Sequence, residues 1–261
     1  MLSVHLHYRL GAARMARLRA LCGHDERAGA RDATALLDGL LLPGAGCLPG
    51  GKARMLALCD RDALAAAVHG ELFGDAIAAD TRCEACARDY EVRFSLAALA
   101  ASRRPQMPEG VAAADEAEWF RLSDGVKFRL PRQADLDAVS GLPPEEAVVS
   151  LRERQVRATG EVDWHRVEAA MHALCPLLDC DLDAPCPYCR GARTIRFSVT
   201  RFLAQSLCAE QPLLVREVHC LARAYGWTHE AIMSLARSER RTFVALVTGE
   251  PAASGLLRRS A

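Results

Sequence analysis

Apolar residues recur three and four positions apart along much of the chain, and this spacing predicts a mainly helical protein. It is typical of helices that bury one face and leave the other in water. Gly74 directly follows the stripe at residues 60–73 and fits a helix C-terminus. The stripes cover residues 12–22, 34–41, 60–73, 145–158 and 162–174, and helix is predicted again from about residue 201.

Strand signals are shorter and fewer. Residues 119–122 and 126–130 alternate between apolar and polar side chains on either side of Ser123-Asp124-Gly125, which predicts a hairpin with a three-residue loop. Residues 92–96 and 195–199 are two further β-branched and aromatic runs. The expected fold class is α+β, mostly helical, with a small β portion. The expected divisions are an N-terminal helical region at 1–78, a cysteine-pair and β core with a helical insertion at 79–204, a C-terminal helical unit at 205–250 and a flexible tail at 251–261.

The two runs at 92–96 and 195–199 each follow a Cys-x-x-Cys turn, so the chain carries a duplicated motif. Cys83-Glu-Ala-Cys86 precedes the first run and Cys186-Pro-Tyr-Cys189 precedes the second, with 186 − 83 = 103 at the cysteines and 195 − 92 = 103 at the strands. A Cys-x-x-Cys turn directs two thiolates to one point, and Zn²⁺ favours four soft ligands in a tetrahedron. We therefore predict a structural zinc site. Its ligands are Cys83, Cys86, Cys186 and Cys189.

Three other interpretations of these cysteines remain open from the sequence. They could be buried free thiols, since cysteine is common in protein cores. They could form redox-active pairs of the thioredoxin type, although such pairs sit where a strand leads into a helix, and both pairs here lead into strands. Cys175 and Cys180 lie close to the second pair and are alternative ligands.

Composition narrows the possible partners and the compartment. The 33 basic and 33 acidic residues balance, which argues against a general nucleic-acid surface or an anionic membrane as partner. The chain starts without a basic, apolar signal segment, and no window approaches 18 uninterrupted apolar residues. Eleven cysteines in such a chain fit a reducing cytoplasm, where Cys-x-x-Cys pairs indicate metal or redox chemistry rather than disulfides.

Residues 213–250 predict three short helices. The first ends at Gly226, Thr228 caps the second, and Ser238 is expected to cap the third. Three short helices with ends and caps at this spacing are compatible with a DNA-binding helix-turn-helix, and a zinc-containing DNA-binding regulator is the alternative function. However, five arginines against four glutamates over residues 213–250 leave a net charge of only +1. We therefore favour docking onto a protein.

Four motifs in this order carry a resemblance to a known family. They are Leu72-Phe-Gly-Asp75 with the first cysteine pair, Phe128-Arg-Leu-Pro131 with Asp135-Leu136, the second pair with Ile195-Arg-Phe-Ser198, and Arg216-Glu-Val-His219 with Ala222, Tyr225-Gly-Trp227, Ile232, Leu235 and Arg240-Arg241. Over residues 56–250 the chain resembles the baseplate hub assembly chaperones of T-even-type contractile phage tails, in the form found in bacterial contractile injection gene clusters. One departure is Cys86-Ala-Arg-Asp89, where family members often place glycine soon after the second cysteine.

The resemblance implies a non-enzymatic role in building the central hub of a contractile injection machine. The expected partner is a baseplate hub or spike protein, with no nucleic acid and no membrane. No His-Glu-x-x-His or Gly-x-Ser-x-Gly motif competes with this interpretation. Arginine and aromatic residues often carry protein interfaces, so we place the partner-binding surface in the C-terminal unit. Its expected residues are Arg216, Glu217, His219, Arg223, Tyr225, Trp227, Arg240 and Arg241.

Overall fold

Helices and short antiparallel hairpins alternate along the chain in a computed structural model that describes residues 1–249, which confirms the α+β class. The predicted tail at 251–261 lies outside the described residues. The helices are α1 (Gly23–Gly29), α2 (Ala33–Leu40), α3 (Leu58–Phe73), α4 (Leu96–Ser102), α5 (Gln133–Ala138), α6 (Pro144–Gln155), α7 (Trp164–Leu174), α8 (Val199–Ala209), α9 (Gln211–Tyr225), α10 (His229–Ser234) and α11 (Arg237–Thr248). The strands are β1 (Leu2–Leu10), β2 (Ala13–Leu18), β3 (Ala76–Arg82), β4 (Asp89–Ser95), β5 (Val111–Ala113), β6 (Trp119–Leu122), β7 (Lys127–Arg129), β8 (Val156–Arg157), β9 (Asp179–Asp183) and β10 (Thr194–Ser198).

The N-terminus corrects the prediction of a helix at 12–22, within the region 1–78 that was expected to be helical. β1 and β2 form an antiparallel hairpin there. Side chains of β1 alternate between half-buried and exposed along the whole strand, which is the period of a strand with one covered face. Where β1 leaves its register with β2, the backbone N–H groups of His7 and Tyr8 donate to the buried carboxylate of Asp60 at 2.7 and 3.0 Å. This contact fixes the hairpin on the start of α3.

Two apolar cores organise the fold. The larger core contains side chains of the N-terminal hairpin, α2, α3 and α8, together with one face of β3–β4 and β9–β10. The second core lies between α7 and the sheet β5-β6-β7-β8. The predicted hairpin at 119–130 is confirmed as β6–β7, with Gly125 at φ +92° in its loop. The short strands β5 and β8, which the sequence did not indicate, extend it to four strands.

The duplicated motif is a pair of matching hairpins. In β3–β4 Ala76 pairs with Ser95, and in β9–β10 Asp179 pairs with Ser198, so both members of the pair are displaced by 103 residues. A helix follows each hairpin directly, α4 after the first and α8 after the second. The repeat is therefore longer than the sequence indicated, because it includes a strand before each cysteine turn. The aromatic rings of Phe94 and Phe197, which occupy equivalent positions, meet edge to face at 5.1 Å and join the two hairpins.

The C-terminal unit consists of α9, α10 and α11. Gly226 ends α9 in the left-handed region at φ +67°, and Thr228 caps α10 by accepting from the N–H of Ala231, both as predicted. The third cap was predicted wrongly: α11 begins after Ala236, and Ser238 lies inside its first turn. Among residues 1–249, the helices are all too short or too polar to cross a membrane.

Candidate metal centre

Four cysteine sulfurs converge between the two matching hairpins. The Sγ atoms of Cys83 and Cys189 lie 3.6 Å apart, those of Cys86 and Cys186 lie 3.8 Å apart, and all four lie within 4.8 Å of one another. A tetrahedron with Zn–S bonds of about 2.3 Å has S···S edges of ~3.8 Å. These separations exceed a disulfide bond of about 2.05 Å, so the four residues are free thiols with the spacing of metal ligands. The predicted convergence of the two cysteine pairs is confirmed.

The same turn presents the cysteines in both repeats. After the first cysteine of each pair, a backbone N–H returns to its carbonyl oxygen: Ala87 N donates to Cys83 O at 2.8 Å, and Arg190 N donates to Cys186 O at 2.9 Å. The hairpin then closes on the N–H of the first cysteine, through Arg88 O and Gly191 O respectively. These equivalent bonds curl each segment so that both of its sulfurs face the other repeat.

The residue after each second cysteine adopts a left-handed backbone. Ala87 has φ +56° and Arg190 has φ +58°, conformations that carry a steric cost for any residue with a Cβ. This is the region in which the resembled family often places glycine. The turn is therefore kept here at the expense of local strain, and the departure at Cys86-Ala87 does not prevent it from forming.

The hydrogen bonds and charges of the cluster favour a bound cation. Backbone N–H groups of Cys86 and Ala85 donate to the Cys83 sulfur and lower the pKa of Cys83 to about 6, although desolvation opposes this shift. At Cys86 the N–H of Arg88 also favours the thiolate. Desolvation and hydrogen bonds with the other three cysteines outweigh it and raise the pKa of Cys86 to about 11. Without a cation the cluster resists holding several thiolates at once, whereas a divalent metal favours their deprotonation.

Contacts between the repeats close the surroundings of the cluster. The hydroxyl of Tyr90 donates to the carbonyl oxygen of Ala184 at 2.7 Å, from one hairpin to the other. Arg193 of the second turn forms an ion pair of 2.5 Å with Glu84 of the first. Cys83 and Cys186 are buried, whereas Cys189 is exposed. The cluster therefore lies at the surface end of the two hairpins.

The alternative ligands lie elsewhere. Cys175 is buried in the second core, where its sulfur accepts a hydrogen bond from the N–H of Cys59 at 3.3 Å. This neighbouring thiol, together with desolvation, raises the pKa of Cys59. Cys180 lies on β9 opposite Phe197 and is also buried. Neither Cys175 nor Cys180 belongs to the four-sulfur cluster.

Two residues predicted for the partner surface are inside the protein, and their assignment is corrected. Arg240 is 0% exposed and Glu217 is 4% exposed. They belong to a closed ring, here called the arginine–glutamate ring, in which three arginines and three glutamates alternate through six ion pairs of 2.5–3.1 Å. Its members in order are Arg237, Glu26, Arg240, Glu217, Arg241 and Glu210.

The ion pairs of the ring offset the cost of burying these charged side chains. Burial alone would lower the pKa of Arg240, but Glu26 and Glu217 outweigh it and raise the pKa. Glu26 lies on α1, so the ring ties the C-terminal unit to the N-terminal part of the chain. The sequence analysis missed Glu26, Glu210 and Arg237, because no local pattern marks charges that meet across more than 200 residues, as Glu26 and Arg240 do.

The other predicted partner residues remain at or near the surface. Arg216, His219 and Arg223 are exposed and lie three and four positions apart on α9, so they form one basic stripe. Tyr225 is 42% exposed and stacks on Trp227 at 4.8 Å. Trp227 is half-buried, and its ring meets Phe243 of α11 edge to face at 5.1 Å. The corner at Gly226 is thus packed between the helices that it joins.

Comparison with models of known protein families, with curated proteins and with solved structures gave no match for this chain.

Proposed function

We propose that the four cysteines hold a structural Zn²⁺ ion, and that the protein is a non-enzymatic assembly factor for the baseplate hub of a phage-tail-like contractile injection system. The observation that carries the zinc proposal is the convergence of two sulfurs from each repeat. Four thiolates in a tetrahedron suit Zn²⁺ better than harder cations that prefer oxygen ligands. All four ligand positions come from the protein, which is the pattern of structural rather than catalytic zinc.

The assembly role rests on the resemblance of the four sequence motifs, and it is supported by the distribution of charge in the C-terminal unit. The basic stripe of Arg216, His219 and Arg223 is free to meet a protein surface. The DNA-binding alternative loses support, because the arginines of α11 are engaged by glutamates in the arginine–glutamate ring. Phosphate contacts need cations that can reach the surface.

The zinc proposal is tested by replacing Cys186 and Cys189 with serine. Metal content, measured by mass spectrometry, should fall from one zinc per chain to none, and the melting temperature should fall with it, since binding energy in structural zinc sites is folding energy. The matched control is Cys208→Ser at an exposed thiol outside the cluster, which should keep both values. A double variant that melts like the parent would show that the four cysteines only pack.

The assembly proposal is tested by co-purification with the hub protein of the same gene cluster. Deleting the C-terminal unit is a poor test, because it removes four ring members and leaves Glu26 buried without its partners. The better variant changes Arg216, His219 and Arg223 to alanine, because all three are exposed. It should weaken capture of the hub protein while metal content stays at the parent level. Absence of hub capture by the parent chain, or binding of duplex DNA at physiological salt, would contradict the proposal.

A further inference from the structure

A pocket of about 480 Å³ opens where the two apolar cores meet. Its walls come from three separate segments: the end of β1 with the turn after it, the residues just before α3, and the chain between β5 and β6. Leu10 and Leu56 contribute from the larger core, and Phe120 and Leu130 contribute from the second. A concave, mostly apolar site of this volume between two packed units is typical of small-molecule pockets in proteins.

The inner wall of the pocket is held in place by contacts within the protein. The ring of Tyr8 meets Phe120 edge to face at 5.8 Å, and its hydroxyl donates to the carbonyl oxygen of Leu174 at 2.5 Å. The N–H of Ala114 donates to the carbonyl oxygen of Trp119 at 2.9 Å, which closes the loop before β6. Because these contacts fix the wall without a ligand, binding of a ligand would cost little ordering of the protein.

The loop before β6 has a strained backbone at the pocket wall. Glu118 has φ +71°, a conformation that carries a steric cost for a residue with a Cβ. Its carboxylate forms an ion pair of 2.6 Å with Arg132, and both residues line the pocket. Strained residues of this kind persist where the surrounding structure fixes them, and they cluster at binding and catalytic sites. The position of the strain therefore favours a ligand-binding role for this wall.

The charge around the pocket is positive overall. Glu116, at the wall, is contacted by two cations, Lys127 at 3.3 Å and Arg157 at 2.7 Å. Arg9 is exposed at the opening and forms no ion pair with a residue in 1–249. Together with the ion pair in the loop before β6, the lining residues and their partners comprise four cations and two carboxylates. The net charge of +2 favours an anionic group on a bound molecule.

We infer that this pocket binds an amphipathic carboxylate, a small molecule with one anionic head and an apolar body. The apolar body would lie against Tyr8 and Phe120 on the inner wall. The carboxylate would face Arg9 at the opening, where a guanidinium can bind both of its oxygens. An ammonium head on the same body fits less well, because it would meet the excess of positive charge. The inference is independent of the proposed assembly function, because no hub protein takes part in this binding.

The test measures binding of decanoate to the full chain by isothermal titration calorimetry, with decanol and decylammonium as comparators of the same chain length. Arg9→Gln removes the cation at the opening, and Ala113→Trp places an indole in the pocket. The matched controls are Arg14→Gln, an exposed cation of the same hairpin outside the pocket, and Ala112→Trp, whose side chain lies on the other face of β5. All four positions are exposed, so the fold should be kept, which circular dichroism and metal content verify.

The parent should bind decanoate about fivefold more tightly than decanol, and decylammonium more weakly still, because an exposed charge pair contributes up to about 1 kcal/mol. Arg9→Gln should reduce the affinity for decanoate to that for decanol. Ala113→Trp should weaken binding of all three probes by about tenfold or more, because the indole occupies their space. Both controls should bind like the parent. A parent chain that does not bind decanoate at millimolar concentration, equal affinity for the three probes, or pocket variants that bind like their controls would each overturn the inference.

Discussion

Replacing Arg240 by methionine should destabilise the protein strongly, because it opens the arginine–glutamate ring. The side chain is fully buried, its Nη2 lies 2.5 Å from Glu26 and its Nε lies 2.7 Å from Glu217. Without Arg240 two arginines face three glutamates, which leaves one buried negative charge uncompensated. Removing one partner of a buried pair costs about 3–5 kcal/mol, and methionine fills much of the volume, so the charge dominates the loss.

A loss of this size is a large part of the 5–15 kcal/mol by which a typical domain is stable. The free energy of unfolding would be measured by urea titration followed by circular dichroism. The slope of this free energy against urea concentration should stay unchanged, which shows that the substitution alters stability and not the surface exposed on unfolding. The matched control is Arg166→Met, which breaks an exposed pair with Asp124 and should cost about 0–1 kcal/mol. A difference of less than about 1 kcal/mol between the Arg240 variant and the parent would refute the reasoning.

A double variant separates charge from packing as the cause. Adding Glu217→Gln to Arg240→Met leaves two arginines and two glutamates in the ring, so charge balance returns while the lost contacts do not. If the uncompensated carboxylate causes the loss, the double variant should be more stable than Arg240→Met alone. If lost packing causes it, the second substitution should destabilise further, and the electrostatic account would be wrong.

Three further outcomes follow from the geometry of the site and of the C-terminal corner. Ala87→Gly and Arg190→Gly should each raise the free energy of unfolding by about 0.5–1 kcal/mol, and the melting temperature with it, because both positions have positive φ. Ala85→Gly, at a position without positive φ, should raise neither. Cys175→Ala should lower stability without changing zinc content, since this thiol lies in the second core; loss of metal would reassign the ligands. Trp227→Ala should cost roughly 2 kcal/mol in urea unfolding through lost contact with Phe243, and an unchanged midpoint would mean that the indole does not hold the corner.

The four-cysteine cluster was predictable because each half of the duplicated motif is local and the spacing between the halves is exact. Each Cys-x-x-Cys turn is visible in four residues, and the common offset of 103 indicates that the turns are equivalent. The strands before the turns were missed because β3 and β9 are rich in Ala and Asp, residues that are uncommon in strands. They form because each pairs with the aromatic strand that follows the turn.

The errors arise where a local pattern admits two structures or where the partner is distant in sequence. Met15, Leu18 and Leu21 have helical spacing, but Leu18 belongs to a strand that bonds to β1 and to the chain near Leu41. Arg240 was expected at the surface, since arginine is seldom buried without a partner. Its partner Glu26 lies 214 positions earlier, and no local pattern in the sequence connects the two.

The position of the cluster in the chain gives the proposed metal an effect beyond its own ligands. Its closest sulfur contacts join residues 100 and 106 positions apart, and the segment between them contains much of the second core. A covalent cross-link over a loop of about 100 residues restricts the unfolded chain by roughly 4.7 kcal/mol in the chain-entropy model. A tetrahedral metal held by both turns applies a similar constraint, while either turn alone closes only a few residues and restricts the chain much less. The bound metal would therefore stabilise the second core without touching it, because it lowers the conformational entropy that the unfolded segment between the two turns would otherwise have.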